Sequence, residues 1–148
     1  MEKVEERVNL LGRLTISGTL TAKTGLFIGG NNIGINIGGV DQVVIRNALT
    51  GEPYIPGSSL KGKMRSLLER AIGRPQNKKI KDAEKREEQV KIHTCKSQEK
   101  YDNCPVCNIF GITPAEGLVP YPTRLLVRDA HLTISARKSL KRRIPTCP

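Results

Sequence analysis

Between positions 93 and 107 the chain reads His93-x-Cys95-x8-Cys104-Pro105-x-Cys107, four soft or borderline ligands within fifteen residues. No other feature limits the fold so tightly. The Cys-x-x-Cys knuckle of Cys104 and Cys107 fits a tetrahedral zinc site, and His93 and Cys95 complete the ligand set. Four protein ligands leave no open position, so the zinc is expected to be structural. The neighbouring composition shows the need for it. Residues 76 to 91, QNKKIKDAEKREEQVK, are nearly all polar or charged and have little to bury. Ligation supplies on the order of 10 kcal/mol of folding energy that burial there cannot. The alternative is a set of reduced, unliganded thiols, or a redox pair at Cys104 and Cys107. Cys147 stands apart and is not expected to be a ligand.

Charge points to the partner. Twenty-five Lys and Arg against 14 Asp and Glu give a net charge of +11 and a pI near 9.8. Such a balance favours a polyanion, nucleic acid first and an anionic membrane surface second. No apolar stretch approaches the roughly 20 residues of a spanning helix. The start, Met1-Glu2-Lys3-Val4-Glu5-Glu6-Arg7, has no apolar signal core, so a cytoplasmic protein is expected. The aromatic residues are few: Phe27, Tyr54, Tyr101, Phe110 and Tyr121, with no Trp. Base stacking needs such rings, so any nucleic-acid contact is expected to run through phosphates, sugars and backbone amides.

Residues 13 to 23 alternate, with Leu14, Ile16, Leu20 and Ala22 on one side, as in a half-buried strand. Residues 29 to 41, GGNNIGINIGGVD, are too rich in Gly and Asn for regular structure. A short strand, Val43-Val44-Ile45, follows. A helix is expected from Ser58 or Ser59, both good N-caps. Leu60, Met64, Leu67, Leu68, Ala71 and Ile72 make its apolar face, and Gly73 with Pro75 ends it. Residues 76 to 91 read as an exposed helix or a lid. Residues 123 to 132 read as a third strand, and ARKSLKRRIPTCP is a basic tail without a clear pattern.

Two further stretches carry chemistry. In Pro56-Gly57-Ser58-Ser59-Leu60-Lys61-Gly62-Lys63-Met64-Arg65 the bases crowd the first turns of the helix. Cations there oppose the helix dipole, whereas free N–H groups suit an anion. A phosphate would reconcile the two; a basic solvated face is the alternative. The same run nearly matches a P-loop, but Met64 replaces the Ser or Thr that binds Mg²⁺, and Gly62 falls inside the helix. The remaining candidate is Asp41, at the end of the glycine-rich loop. An exposed Asp, with a pKa of about 3.9, is a weak base at neutral pH. It is better suited to holding a divalent metal, or simply to capping a turn.

These motifs, in this order, resemble the backbone RAMP subunit of Csm-type (type III-A) CRISPR complexes. The resemblance runs through Gly25–Gly30, Gly39-Val40-Asp41, Val44-Ile45-Arg46, the stretch from Tyr54 to Arg65, Cys104-Pro105-Val106-Cys107, Phe110-Gly111, and Arg124–Ala130. The Cmr-type backbone subunit shares the Pro-Gly-Ser-Ser-Leu-Lys-Gly stretch. The resemblance implies an α+β, RRM-like (ferredoxin-like) core, with an inserted charged lid and zinc knuckle. It implies copies of the chain stacked along crRNA, with target RNA cut by a divalent metal (Mg or Mn) at Asp41. It matches Gly57, Ser58, Ser59, Lys61, Lys63 and Arg65 to guide binding. Family members with a zinc knuckle carry ligands like His93, Cys95, Cys104 and Cys107. Other partners would be further Csm subunits, including the large Cas10-type subunit.

By this resemblance residues 1–75 are the first part of the core, with the catalytic loop at 29–41. Residues 76–107 are the charged insertion and zinc knuckle, and 108–148 return to a core strand and the basic tail. Family members continue through a second half of the core, a thumb hairpin and a further glycine-rich loop. The core is therefore expected to be incomplete, its sheet left with an open edge. RNA cleavage is expected only in an assembled complex. A non-catalytic RNA-binding scaffold is the competing reading.

Overall fold

The structure, a computed structural model, describes residues 9–30, 43–79, 91–112, 118 and 120–143. The chain divides into two units, one from Met1–Thr19 and Met64–Leu126, the other from Leu20–Lys63 and Val127–Pro148. The architecture is mixed α/β with few strands. No helix among the described residues is long and apolar enough to cross a membrane.

The longest element among the described residues is α1, Gly57–Ala71. It begins just before the two serines, and neither serves as the expected cap. The cap is Asp129, whose Oδ1 accepts the Gly57 N–H at 2.8 Å from 72 residues downstream. A carboxylate at this end also complements the helix dipole. Glycine is required at position 57, because a Cβ there would stand 2.3 Å from the Val127 carbonyl oxygen. The C-terminus ends as the sequence indicates. Gly73 takes φ +65°, its N–H donates to Arg70 O at 3.2 Å, and the Arg74 N–H donates to Glu69 O at 2.7 Å. This is the Schellman pattern, which satisfies the last carbonyls through a left-handed glycine.

In the second unit, antiparallel bridges link Gly29 to Val44, Arg46 to Pro53, and Ile55 to Ala130. They place four short segments side by side in the order 28–30, 43–46, 53–55 and 130. Between 46 and 53 the chain turns on Asn47, whose Oδ1 accepts the N–H groups of Leu49 and Thr50 at 2.9 and 3.1 Å. The expected strands at 43–45 and 123–132 are therefore single bridges, not ladders. Residues 13–23 form no ladder at all, and Leu14 and Ile16 are 86% and 88% exposed. Alternation specifies which face a strand would bury, but among the described residues no neighbour supplies the backbone partners.

The first unit holds the two paired strands. β1 (Lys78–Lys79) and β2 (Lys91–Ile92) are antiparallel, with Lys78 opposite Ile92. Short helices α2 (Gln98–Asp102) and α3 (Pro105–Phe110) follow. Here lies the buried cluster: Cys95, Tyr101, Cys104, Val106, Cys107, Phe110 and Leu118, with Leu68, Ile109, Ile112, Tyr121 and Leu125 packed against it. Of the apolar face expected on α1, only Leu68 joins this core, while Met64, Leu67 and Ile72 are exposed. Among the described residues, the buried core forms around the cysteines.

The basic tail is helical where the sequence showed no pattern. α4 spans Ile134–Arg143. Thr133 starts it, its Oγ1 accepting the Ala136 N–H at 3.2 Å, and Arg137 ties it to Glu52 at 2.8 Å.

Candidate functional site

His93, Cys95, Cys104 and Cys107 come together as the spacing requires. All four are buried, and their donor atoms lie within 4.8 Å of one another. Cys95 Sγ is 3.6 Å from His93 Nε2 and 3.6 Å from Cys107 Sγ. Zn–S bonds of ~2.3 Å and Zn–N bonds of ~2.0 Å in a tetrahedron give S···S edges of about 3.8 Å and S···N edges of about 3.5 Å. The donor set fits zinc in number and type, and the two Cys95 pairs lie close to tetrahedral spacing.

Local structure prepares the donors. Pro105 opens α3, where its missing N–H costs nothing, and this turn places Cys104 and Cys107 three residues apart. Asn108 holds the turn, its Nδ2 donating to Tyr101 O at 2.7 Å and Cys104 O at 3.0 Å. His93 Nδ1 lies 2.9 Å from Pro75 O. A carbonyl only accepts, so Nδ1 carries the proton and Nε2 offers its lone pair to the metal.

The thiols also point to a cation. Burial pushes Cys107 up to about 12, helped by the neighbouring sulfurs. Burial likewise raises Cys95. Cys104 goes the other way: burial opposes ionisation, but the Cys107 N–H and the adjacent thiols outweigh it. A bound dication would favour the thiolate form of all three.

Asp41 lies outside the described residues, as does Cys147. What the structure does describe is the base of the glycine-rich segment. The Gly30 N–H donates to Val43 O at 2.8 Å and the Ile45 N–H to Ile28 O at 2.9 Å. The chain is therefore paired with itself immediately before and soon after residues 31–42.

The basic stretch divides by structure. Ser58, Ser59 and Lys63 are exposed, and Lys61 is half-buried. Gly62 lies inside α1, so the near P-loop forms no loop. Two expected RNA ligands are committed elsewhere. Gly57 is buried and its N–H is taken by Asp129. Arg65 belongs to the first unit, where Nε meets Glu69 Oε1 at 3.0 Å, Nη1 donates to Gly111 O at 2.8 Å, and Nη2 donates to His93 O at 2.6 Å. Charge pattern alone cannot tell an inward arginine from an outward one. The readable clue is Glu69 four residues on, at ion-pair spacing on a helix.

Sequence reasoning missed Asp129, Glu69 and Asn108 as structural supports. Asp129 and Asn108 leave no local signal, since their partners are set by tertiary packing. Glu69 is 1% exposed and accepts from Arg65, Gln76 and the His93 N–H. Burial alone would raise its pKa, but these donors hold it below the usual carboxylate value.

Residues 19–144 match the family model described as the RAMP superfamily. A Methanocaldococcus jannaschii protein named "CRISPR system Cms endoribonuclease Csm3" is 39% identical over 127 residues, covering 86% of this chain and 45% of the relative. The protein of the same name from Methanothermobacter thermautotrophicus is 36% identical over 129 residues, covering 80% of this chain and 45% of its own length. That from Mycobacterium tuberculosis is 51% identical over 61 residues, covering 41% of this chain and 26% of the relative. The chain thus spans less than half the length of the curated relatives it matches.

Proposed function

The chain belongs to the RAMP superfamily, and from that membership we propose that it is a crRNA-binding backbone subunit of a type III-A CRISPR interference complex, cleaving guide-paired target RNA with a divalent metal. The observation that carries the reading is the identity, over most of the chain, to relatives named endoribonucleases of a CRISPR system. The core would be RRM-like, which the side-by-side segments of the second unit support.

The residues take separate roles. Ser58, Ser59, Lys61 and Lys63, on the first turns of α1, contact guide phosphates. Each protein–phosphate contact displaces condensed counterions, so binding weakens with salt. Arg65 and Gly57 act from inside, as brace and as close-packing point. Asp41 would hold or orient Mg or Mn, and that ion would supply charge neutralisation at the scissile phosphate. Zinc at His93, Cys95, Cys104 and Cys107 is structural. Guide RNA, target RNA, copies of the chain and other Csm subunits, the Cas10-type subunit among them, are the partners, in the cytoplasm.

The test is an assembled complex carrying Asp41→Ala. Guide and target binding persist and metal-dependent cleavage stops. Full cutting by the variant removes Asp41 from the mechanism. Binding without cleavage by the unaltered complex leaves the scaffold reading instead.

A further inference from the structure

His93 is gripped at three points beside its metal-facing nitrogen. Its N–H donates to Glu69 Oε1 at 2.9 Å, its carbonyl accepts from Arg65 Nη2 at 2.6 Å, and its Nδ1 meets Pro75 O at 2.9 Å. Two of these grips come from one ion pair on α1, Arg65 with Glu69, closed at 3.0 Å with side chains 13% and 1% exposed. The remaining Arg65 donor, Nη1, reaches Gly111 O at 2.8 Å. Gly111 caps α3, the helix that carries Cys107 just after Cys104, and its own N–H donates to Cys107 O at 3.0 Å. One guanidinium therefore spans both halves of the ligand set, the histidine strand and the Cys-x-x-Cys turn.

We propose that Arg65 and Glu69 are positioning residues for the metal centre, fixing His93 and the Cys104/Cys107 turn at the separation that zinc requires. A planar guanidinium suits this role, because its donors point in fixed directions toward separate acceptors. A lysine ammonium keeps the charge but has no such fork. The buried carboxylate completes the arrangement by holding the guanidinium in plane and the His93 amide in register. The role concerns the metal centre alone and stands whether or not the chain binds RNA.

The test is cobalt(II) titration of the full chain, followed by absorption, with His93→Ala giving the spectrum of a centre without imidazole. Arg65→Lys and Glu69→Gln, both conservative in size, are expected to bind cobalt about 10–100-fold more weakly. Their thiolate-to-cobalt bands should remain, while the d–d bands move toward those of His93→Ala. Three results overturn the proposal: wild-type affinity in both variants, weaker binding with an unchanged spectrum, or thiolate and imidazole features lost together.

Discussion

Removing the metal should unfold the cysteine segment, not merely loosen it. The perturbation is exhaustive chelation of purified protein, with Cys107→Ala as its genetic counterpart. The magnitude follows from where the donors sit. Cys95, Cys104 and Cys107 are three of the seven residues of the buried apolar cluster, and Cys104 and Cys107 are 0% exposed. Their neighbours Tyr101, Val106 and Phe110 stand on the two short helices between and beyond the ligands. Helices of five and six residues do not persist by propensity alone. A structural zinc contributes ~10–16 kcal/mol of apparent folding energy, comparable with the whole stability of a typical domain, ~5–15 kcal/mol. Without it, raised thiol pKa values leave neutral sulfhydryls that bond weakly. The assay combines metal analysis, near-ultraviolet circular dichroism and hydrogen exchange across residues 91–112. Tyr101 is fully buried and the chain has no Trp, so the aromatic signal reports this cluster well. The expected result is one zinc per chain, and loss of both the tyrosine signal and amide protection on chelation. Full protection of residues 91–112 in metal-free protein would refute the reasoning.

Gly57→Ala places a Cβ against backbone at Val127 and Arg128 and should cost ~1–3 kcal/mol in chemical denaturation; a neutral effect would show that this approach is not tight. Gly73→Ala keeps open space around the new Cβ but must hold φ +65°, so about 1–2 kcal/mol is expected from backbone conformation alone. Asp129→Ala removes the acceptor of the buried Gly57 N–H and should destabilise by ~1–3 kcal/mol, whereas Ser58→Ala should change little. Equal effects of the last two would return the cap to the serine.

The metal ligands and the end of α1 are legible because each is written locally. Cys104 and Cys107 need only a turn between them, and Gly73 needs only its own φ. The strands are not legible in the same way. Leu14, Ile16 and Leu20 announce a face, but pairing is decided by a partner elsewhere in the chain, and none of the described residues fills that place. The helix start shows the same limit. Ser58 offers a local cap, and a carboxylate 72 residues away takes the position. The inward pairing of Arg65 is not legible because a positive charge near a helix start has the same signature whether it faces phosphate or a buried Glu69. The signal for α4 is hidden by its composition: a helix covered in basic residues has no apolar stripe to read.

The central claim is that α1 offers cationic side chains to an RNA backbone from its first turns. The direct measurement is the affinity of the full chain for single-stranded guide RNA across a range of salt, compared with Lys63→Ala and with the Lys61→Ala/Lys63→Ala pair. The account predicts weaker binding at low salt and a log–log slope shallower by about 0.7 for each phosphate no longer neutralised. Binding and slope identical to those of the unaltered chain in both variants would contradict it.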